Sequence, residues 1–145
     1  MPSLLVKLHR SPALTVTRTD VRSERLVYVI VACKPQRYRF ARSPVVYVGT
    51  TRRGLGRIAA SAAYRADKIL SLRGVESFHV RVVTCRPRRN VKTWAKLERA
   101  LLLRFRERYG DVPLCNQQGK RIQETDEFRY FKRERLDQII DGVEG

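Results

Sequence analysis

From Leu26 to Cys33 the chain runs Leu-Val-Tyr-Val-Ile-Val-Ala-Cys, with β-branched side chains at Val27, Val29, Ile30 and Val31 and no charge. The run is the longest apolar stretch in the sequence, and it is far too short to span a bilayer, which takes about 20 residues. It does not alternate between polar and apolar, so it reads as a strand over residues 25–32 buried on both faces. A second apolar run, Val45 to Gly49, follows closely enough in sequence to pair with it antiparallel.

The rest of the chain is read against these two strands. Residues 1–24 mix short alternating runs (Leu4, Val6, Leu8, then Leu14, Val16) around Pro12, an N-terminal arm or one or two weak strands. Cys33 to Pro44 is expected to be a basic loop. Gly54 to Leu70 reads as a helix with an apolar face that includes Leu55, Ile58, Ala62 and Ile69, and with a polar stripe of Arg57, Ser61, Tyr64 and Lys68. Val75 to Thr84 alternates as a half-buried third strand. Asn90 is placed to cap a second helix that Gly110 ends, and residues 111–120 form a turn-rich loop. Asp126 to Asp141 is expected to be one further helix. The order describes an α/β fold with a mainly antiparallel sheet of about three strands flanked by helices. On this reading residues 25–122 form the main domain, and residues 123–145 add an acidic C-terminal helix packed on it.

The formal charge is +17 over 145 residues, with 43% hydrophobic content, so the chain folds and attracts polyanions, nucleic acid foremost. Residues 123–145 hold seven acids against four bases, which places the whole basic excess in the body. Lys34, Arg37, Arg39, Arg42, Arg52 and Arg53 are the candidate phosphate contacts. Cys33, Cys85 and Cys115 are odd in number and widely spaced, which supports neither a disulfide framework nor a zinc site. A cytoplasmic setting with no membrane segment fits best. The first nineteen residues, free of acids and holding Ser, Thr and Arg, are similar in composition to a transit segment.

Glu98 is the most informative single residue. It falls within the apolar arc that Trp94, Leu97, Leu101, Leu102 and Phe105 make on the second helix. A carboxylate turned toward the core needs an arginine partner, a metal or a catalytic role. Arg57 follows a glycine-rich turn near a helix start, where anions are held. Tyr28 and Tyr47 fit either as core aromatics or as functional phenols, and Asn116 fits a turn. His9 and His79 have no carboxylate or histidine at ligand spacing.

Taken in order, Leu26-Val27-Tyr28, Tyr47-Val48-Gly49, Arg57 ten residues after Tyr47, Glu98, and Asn116 after Pro113-Leu114-Cys115 resemble the GIY-YIG nuclease family. The resemblance covers roughly residues 25–118 and implies a small GIY-YIG-like domain. It implies that Tyr28 and Tyr47 are the two site tyrosines, Gly49 the glycine that lets the chain turn, and Arg57 the clamp on the scissile phosphate. Glu98 would be the single metal ligand and Asn116 the brace of the site. The first motif has Leu26 and Val27 in place of glycine and isoleucine, and the link between the tyrosines is longer than usual. Ser61 stands where many members carry a histidine, so Ser61 itself, Tyr64, Lys68 and His79 are the auxiliary candidates.

The implied activity is metal-dependent hydrolysis of DNA phosphodiester bonds with Mg²⁺ or Mn²⁺, in repair, recombination or restriction, on double-stranded or branched DNA. Tyr28 is the expected base and Tyr47 its aid. The alternatives are a non-catalytic basic nucleic-acid-binding module, and an assembly factor whose C-terminal helix meets a partner protein or a second copy.

Overall fold

The apolar run becomes β1 (Leu26–Arg37), the middle strand of an open antiparallel sheet ordered β2-β1-β3, with β2 (Arg42–Thr51) and β3 (Phe78–Val83) on its flanks. This computed structural model describes residues 3–13, 15 and 21–145, the side chain of residue 118 excepted. As the lack of alternation implies, β1 is buried on both sides. Val27, Val29 and Val31 enter one apolar layer, and Leu26, Tyr28 and Ile30 enter the other.

Helix α1 (Gly54–Leu70) covers the Tyr28 face with Ile58 and Ile69, and its bounds coincide with those the periodicity predicts. Gly54 opens it at φ 72°, a left-handed conformation suited to glycine, and its N–H donates to the Glu24 carbonyl. Helices α2 (Thr93–Tyr109), α3 (Glu127–Tyr130) and α4 (Arg133–Glu144) lie on the Val29 face. There Leu97, Leu101 and Phe105 of α2 meet Leu136, Ile140 and Val143 of α4 in one core. The fold is thus α/β, a three-stranded antiparallel sheet between helices with a C-terminal helix packed against it.

Several expectations are corrected. The basic loop of residues 33–44 is mostly a hairpin, because β1 continues through Arg37 and β2 begins at Arg42, with Gln36 opposite Ser43. Only residues 38–41 turn, and the Tyr38 N–H closes the turn on the Ala41 carbonyl. A polar stretch exposed at every residue from 33 to 37 but Gln36 conceals such a strand from an apolar-run criterion. Asn90 does not cap α2, which starts at Thr93; it sits at φ 60° in a turn closed by Val91 and Arg88, a conformation asparagine tolerates. The single helix expected over Asp126 to Asp141 breaks at Phe131 and Lys132, both extended, because Phe131 and Leu136 are five residues apart and both pack into the core. Gly110 does end α2, at φ 88°. Leu4, Val6 and Leu8 belong to no strand and are almost fully exposed, while Leu14 and Val16 lie outside the described residues. Among the described residues no helix is long and apolar enough to cross a membrane.

Candidate functional site

The register of β1 on β2 slips at one point. Ile30 faces Tyr47 and Val31 faces Val45, which leaves Val46 as an extra, bulged residue. β2 is an edge strand, and at this bulge its outer backbone is covered by the loop after α2 rather than by another strand. The Cys115 N–H donates to the Val46 carbonyl at 2.9 Å. The Asn116 amide then copies a peptide unit: its Oδ1 accepts from the Val48 N–H at 2.9 Å and its Nδ2 donates to the Val48 carbonyl at 2.7 Å. Tyr38 pins the same loop, since its hydroxyl donates to the Val45 carbonyl and accepts from the Leu114 N–H. Asn116 therefore braces the strand edge rather than capping a turn.

An 850 Å³ cavity opens over this braced edge, between α1 and α2. Tyr47, Val48 and Asn116 form its floor; Tyr64, Arg65, Asp67 and Lys68 of α1 form one wall and Glu98, Arg99 and Leu102 of α2 the other. Three of the five principal site residues expected from sequence, Tyr47, Glu98 and Asn116, thus meet at one place, as do the auxiliary candidates Tyr64 and Lys68.

Tyr28 lies directly beneath. It is buried, its ring centroid is 5.8 Å from that of Tyr47, and its hydroxyl shares a 2.7 Å hydrogen bond with Ser61 Oγ. Burial raises its pKa above the ordinary 10, only partly offset by the Ser61 bond. Gly49 faces Tyr28 across the sheet and is inside β2, not at a turn. A Cβ there would stand 2.7 Å from a Tyr47 ring carbon and 2.8 Å from the Tyr28 hydroxyl. The glycine is what lets two phenol rings share one spot.

Arg57 is exposed on α1 one turn before Ser61 and is not part of the cavity wall; among the described residues it has no ion-pair partner. The arginine that does enter the wall is Arg65, which sequence reasoning missed. Its Nη2 donates to the Tyr47 hydroxyl at 2.7 Å and its guanidinium lies 4.1 Å from the centre of the Tyr47 ring. Its Nε is buried without a partner. Arg65 sits four residues after Ser61, so the helical stripe already contained the signal. Asp67, a second acid at the cavity, was also missed.

Glu98 is half-buried. Burial raises its carboxyl pKa above the ordinary 4.5, and the Thr50 hydroxyl and the Arg99 charge only partly oppose it. Its arginine-partner reading fails among the described residues, for Arg99 is turned to Glu127 at 2.8 Å. Of the other acids withdrawn from the surface, Asp126, Glu127 and Asp137 are ion-paired, and Glu144 accepts from Ser43 and Tyr109. Among the described residues no three His, Cys, Asp or Glu converge, so no all-protein metal cage exists there. A lone carboxylate fits a hard cation that retains most of its waters and shares the substrate's phosphate.

Two expectations fall outside the site. His79 is exposed on β3, at the opposite edge of the sheet, beside a separate hollow with Arg81 and the C-terminus, and so is removed from the auxiliary set. Lys34, Arg37, Arg39 and Arg42 surround the hairpin tip, whose Phe40 N–H binds the Tyr109 carbonyl, while Arg52 and Arg53 stand exposed at the other end of β2, next to Thr51. The six candidate phosphate contacts are thus split between the two ends of β2.

Comparisons of this chain with protein-family models, with curated proteins and with solved structures returned no match.

Proposed function

We propose that the chain is a metal-dependent endonuclease that hydrolyses DNA phosphodiester bonds at the cavity on the β2 edge, as its resemblance to GIY-YIG nucleases implies. The observation that carries this reading is Glu98: a half-buried carboxylate with no ion pair among the described residues, facing the same cavity as Tyr47, Arg65 and Lys68. The buried structural acid Glu127, by contrast, is met by the Arg99 guanidinium, whereas Glu98 has the Thr50 hydroxyl and no cation of its own.

Glu98 would hold a Mg²⁺ or Mn²⁺ ion, with waters and a phosphate oxygen completing its shell. When bound, such an ion supplies positive charge to the leaving oxygen. Arg57, exposed near the start of α1 and without an ion-pair partner among the described residues, would meet the equatorial phosphate oxygens as negative charge accumulates there. A water oxygen adds to phosphorus as the bridging P–O bond breaks, and the water's proton passes to a tyrosine in its phenolate form, whose own proton has left to solvent beforehand. Tyr47 is the better acceptor of the two. Tyr28 is buried between the sheet and α1 with its hydroxyl on Ser61, whereas Tyr47 lines the cavity and its oxygen receives an N–H from Arg65. Tyr28 then acts by positioning Tyr47. The free thiols at Cys33, Cys85 and Cys115 suit a reducing compartment such as the cytoplasm.

The test is nicking of supercoiled plasmid and of branched and linear DNAs by the wild type and by Glu98→Ala, with Mg²⁺ or with EDTA. Cleavage that requires both the metal and Glu98 supports the reading, with DNA binding retained in the variant. Metal-dependent cleavage by Glu98→Ala removes Glu98 from the role. Tight binding with no cleavage by the wild type leaves a basic binding module.

A further inference from the structure

Arg65 does not end a chain of contacts; it is the middle of one. Its guanidinium lies 4.1 Å from the Tyr47 ring centre and 5.8 Å from the Tyr64 ring centre. All three groups line the cavity, with Arg65 in reach of both rings. The outermost member, Tyr64, is 84% exposed, the most exposed large hydrophobic side chain outside the N-terminal arm among the described residues. An aromatic ring left this open, at the mouth of a cavity and on a cationic partner, presents an unused face for a further ring. Lys68 lies one turn farther along α1 on the same wall.

The geometry points to a stacking subsite for an unpaired nucleobase on Tyr64, with Arg65 and Lys68 taking the adjoining phosphates. It rests on the nucleic-acid reading above and specifies the substrate: DNA with a single-stranded tail, flap or gap next to the bond that is cut. Within an uninterrupted duplex every base face is already covered by its neighbours, so Tyr64 has nothing to stack on. A strand leaving a duplex offers one. Aromatic platforms interleaved with cations are how single strands are held without regard to sequence. The subsite also gives Tyr64 a role different from proton transfer, since a stacking ring needs no hydroxyl.

The experiment measures binding in EDTA by fluorescence anisotropy, with a blunt duplex and with a duplex of equal length that carries a single-stranded tail. The tail contains 2-aminopurine, whose emission falls when it stacks. Loss of a base–aromatic stack weakens binding by about 10-fold or more. Tyr64→Ala is expected to lose about that factor on the tailed DNA with little change on the blunt duplex, to abolish the 2-aminopurine quenching, and to keep the wild-type melting temperature. Tyr64→Phe is expected to match the wild type. Equal losses on both DNAs, a Phe variant as weak as Ala, or quenching that survives in Tyr64→Ala each overturn the subsite. Added Mg²⁺ separates the two ideas. A wild type that stacks but never cuts removes the nuclease reading and leaves the subsite standing; one that cuts while Tyr64→Ala binds and quenches normally does the reverse.

Discussion

On the α2 side of the sheet the cationic side chains are engaged by the protein itself. Lys96 meets Asp126, Arg99 meets Glu127, Arg108 meets Asp141, and Arg104 binds both Asp137 oxygens at 2.8 and 2.9 Å. Arg106 donates to the Ile122 carbonyl. On the α1 side Arg57, Arg65 and Lys68 have no acid partner among the described residues, although Arg65 has Tyr47. One chain with a large basic excess therefore uses arginine in two ways. The acidic C-terminal segment neutralises one layer and fastens it to the sheet, and by doing so it leaves the other layer as the face open to a polyanion. Arginine content alone says nothing about which is which; the location of the acids does.

Substitutions can break this contrast. The largest effect is expected for Arg57→Ala, a fall of about 10²-fold to 10³-fold in metal-dependent cleavage, measured as plasmid nicking under single-turnover conditions, with an unchanged melting temperature. A drop in melting temperature with full activity would place Arg57 among the structural arginines instead. Arg99→Ala is the mirror case. It leaves Glu127, only 1% exposed, without its guanidinium, and is expected to cost about 3 kcal/mol in urea unfolding. Loss of activity without loss of stability would make Arg99, which lines the cavity wall, a functional arginine rather than a structural one. Asn116→Ala orphans the Val48 N–H and carbonyl and is expected to destabilise by about 2 kcal/mol while leaving the α2 ion pairs intact.

Acid gives the finest resolution of the two layers. For Glu127, burial raises the carboxyl, but the Arg99 guanidinium and the Thr125 N–H and hydroxyl outweigh it and hold the pKa at about 2, below the ordinary 4.5. A depressed carboxyl contributes stability that is present above its unfolded value and is lost as pH falls through its folded one, here between 4.5 and about 2. Glu98 shifts the opposite way, so it takes up its proton at a higher pH than an ordinary glutamate. Metal binding is therefore expected to weaken on acidification while the melting temperature still holds, and the Glu127→Gln variant is expected to flatten the later loss of stability. Simultaneous loss of both signals would show that the layers are not independent.

How much of this was legible in the sequence depends on the range of the physics. The bounds of α1, the double burial of β1 and the αL stop at Gly110 are set by neighbours in the chain, and periodicity and glycine placement show them. The break at Phe131, the bulge at Val46 and the strand character of Lys34 to Arg37 are set by what packs against them, which periodicity does not contain. The same division applies to the site. Tyr47, Glu98 and Asn116 were named by type and order, and they share a cavity. Gly49 was named for the wrong reason, because the need for space beside two phenols becomes visible only when the strands are paired. His79 was admitted because sequence order does not reveal that β3 forms the far edge. Arg65 was passed over among many arginines although it lies on the stripe of Arg57 and Ser61.

The brace at Asn116 joins residues 68 positions apart in the chain. The β1–β2 hairpin and α1 can form from local contacts soon after they are synthesised, but this closure waits for the chain beyond α2, and contacts of such long sequence separation form late in folding. Until then the edge of β2 is bare and the cavity has no floor. The fold thus makes the cavity a late property of the chain, so a copy that ends before Asn116 carries much of the body's positive charge without the braced edge that shapes the cavity.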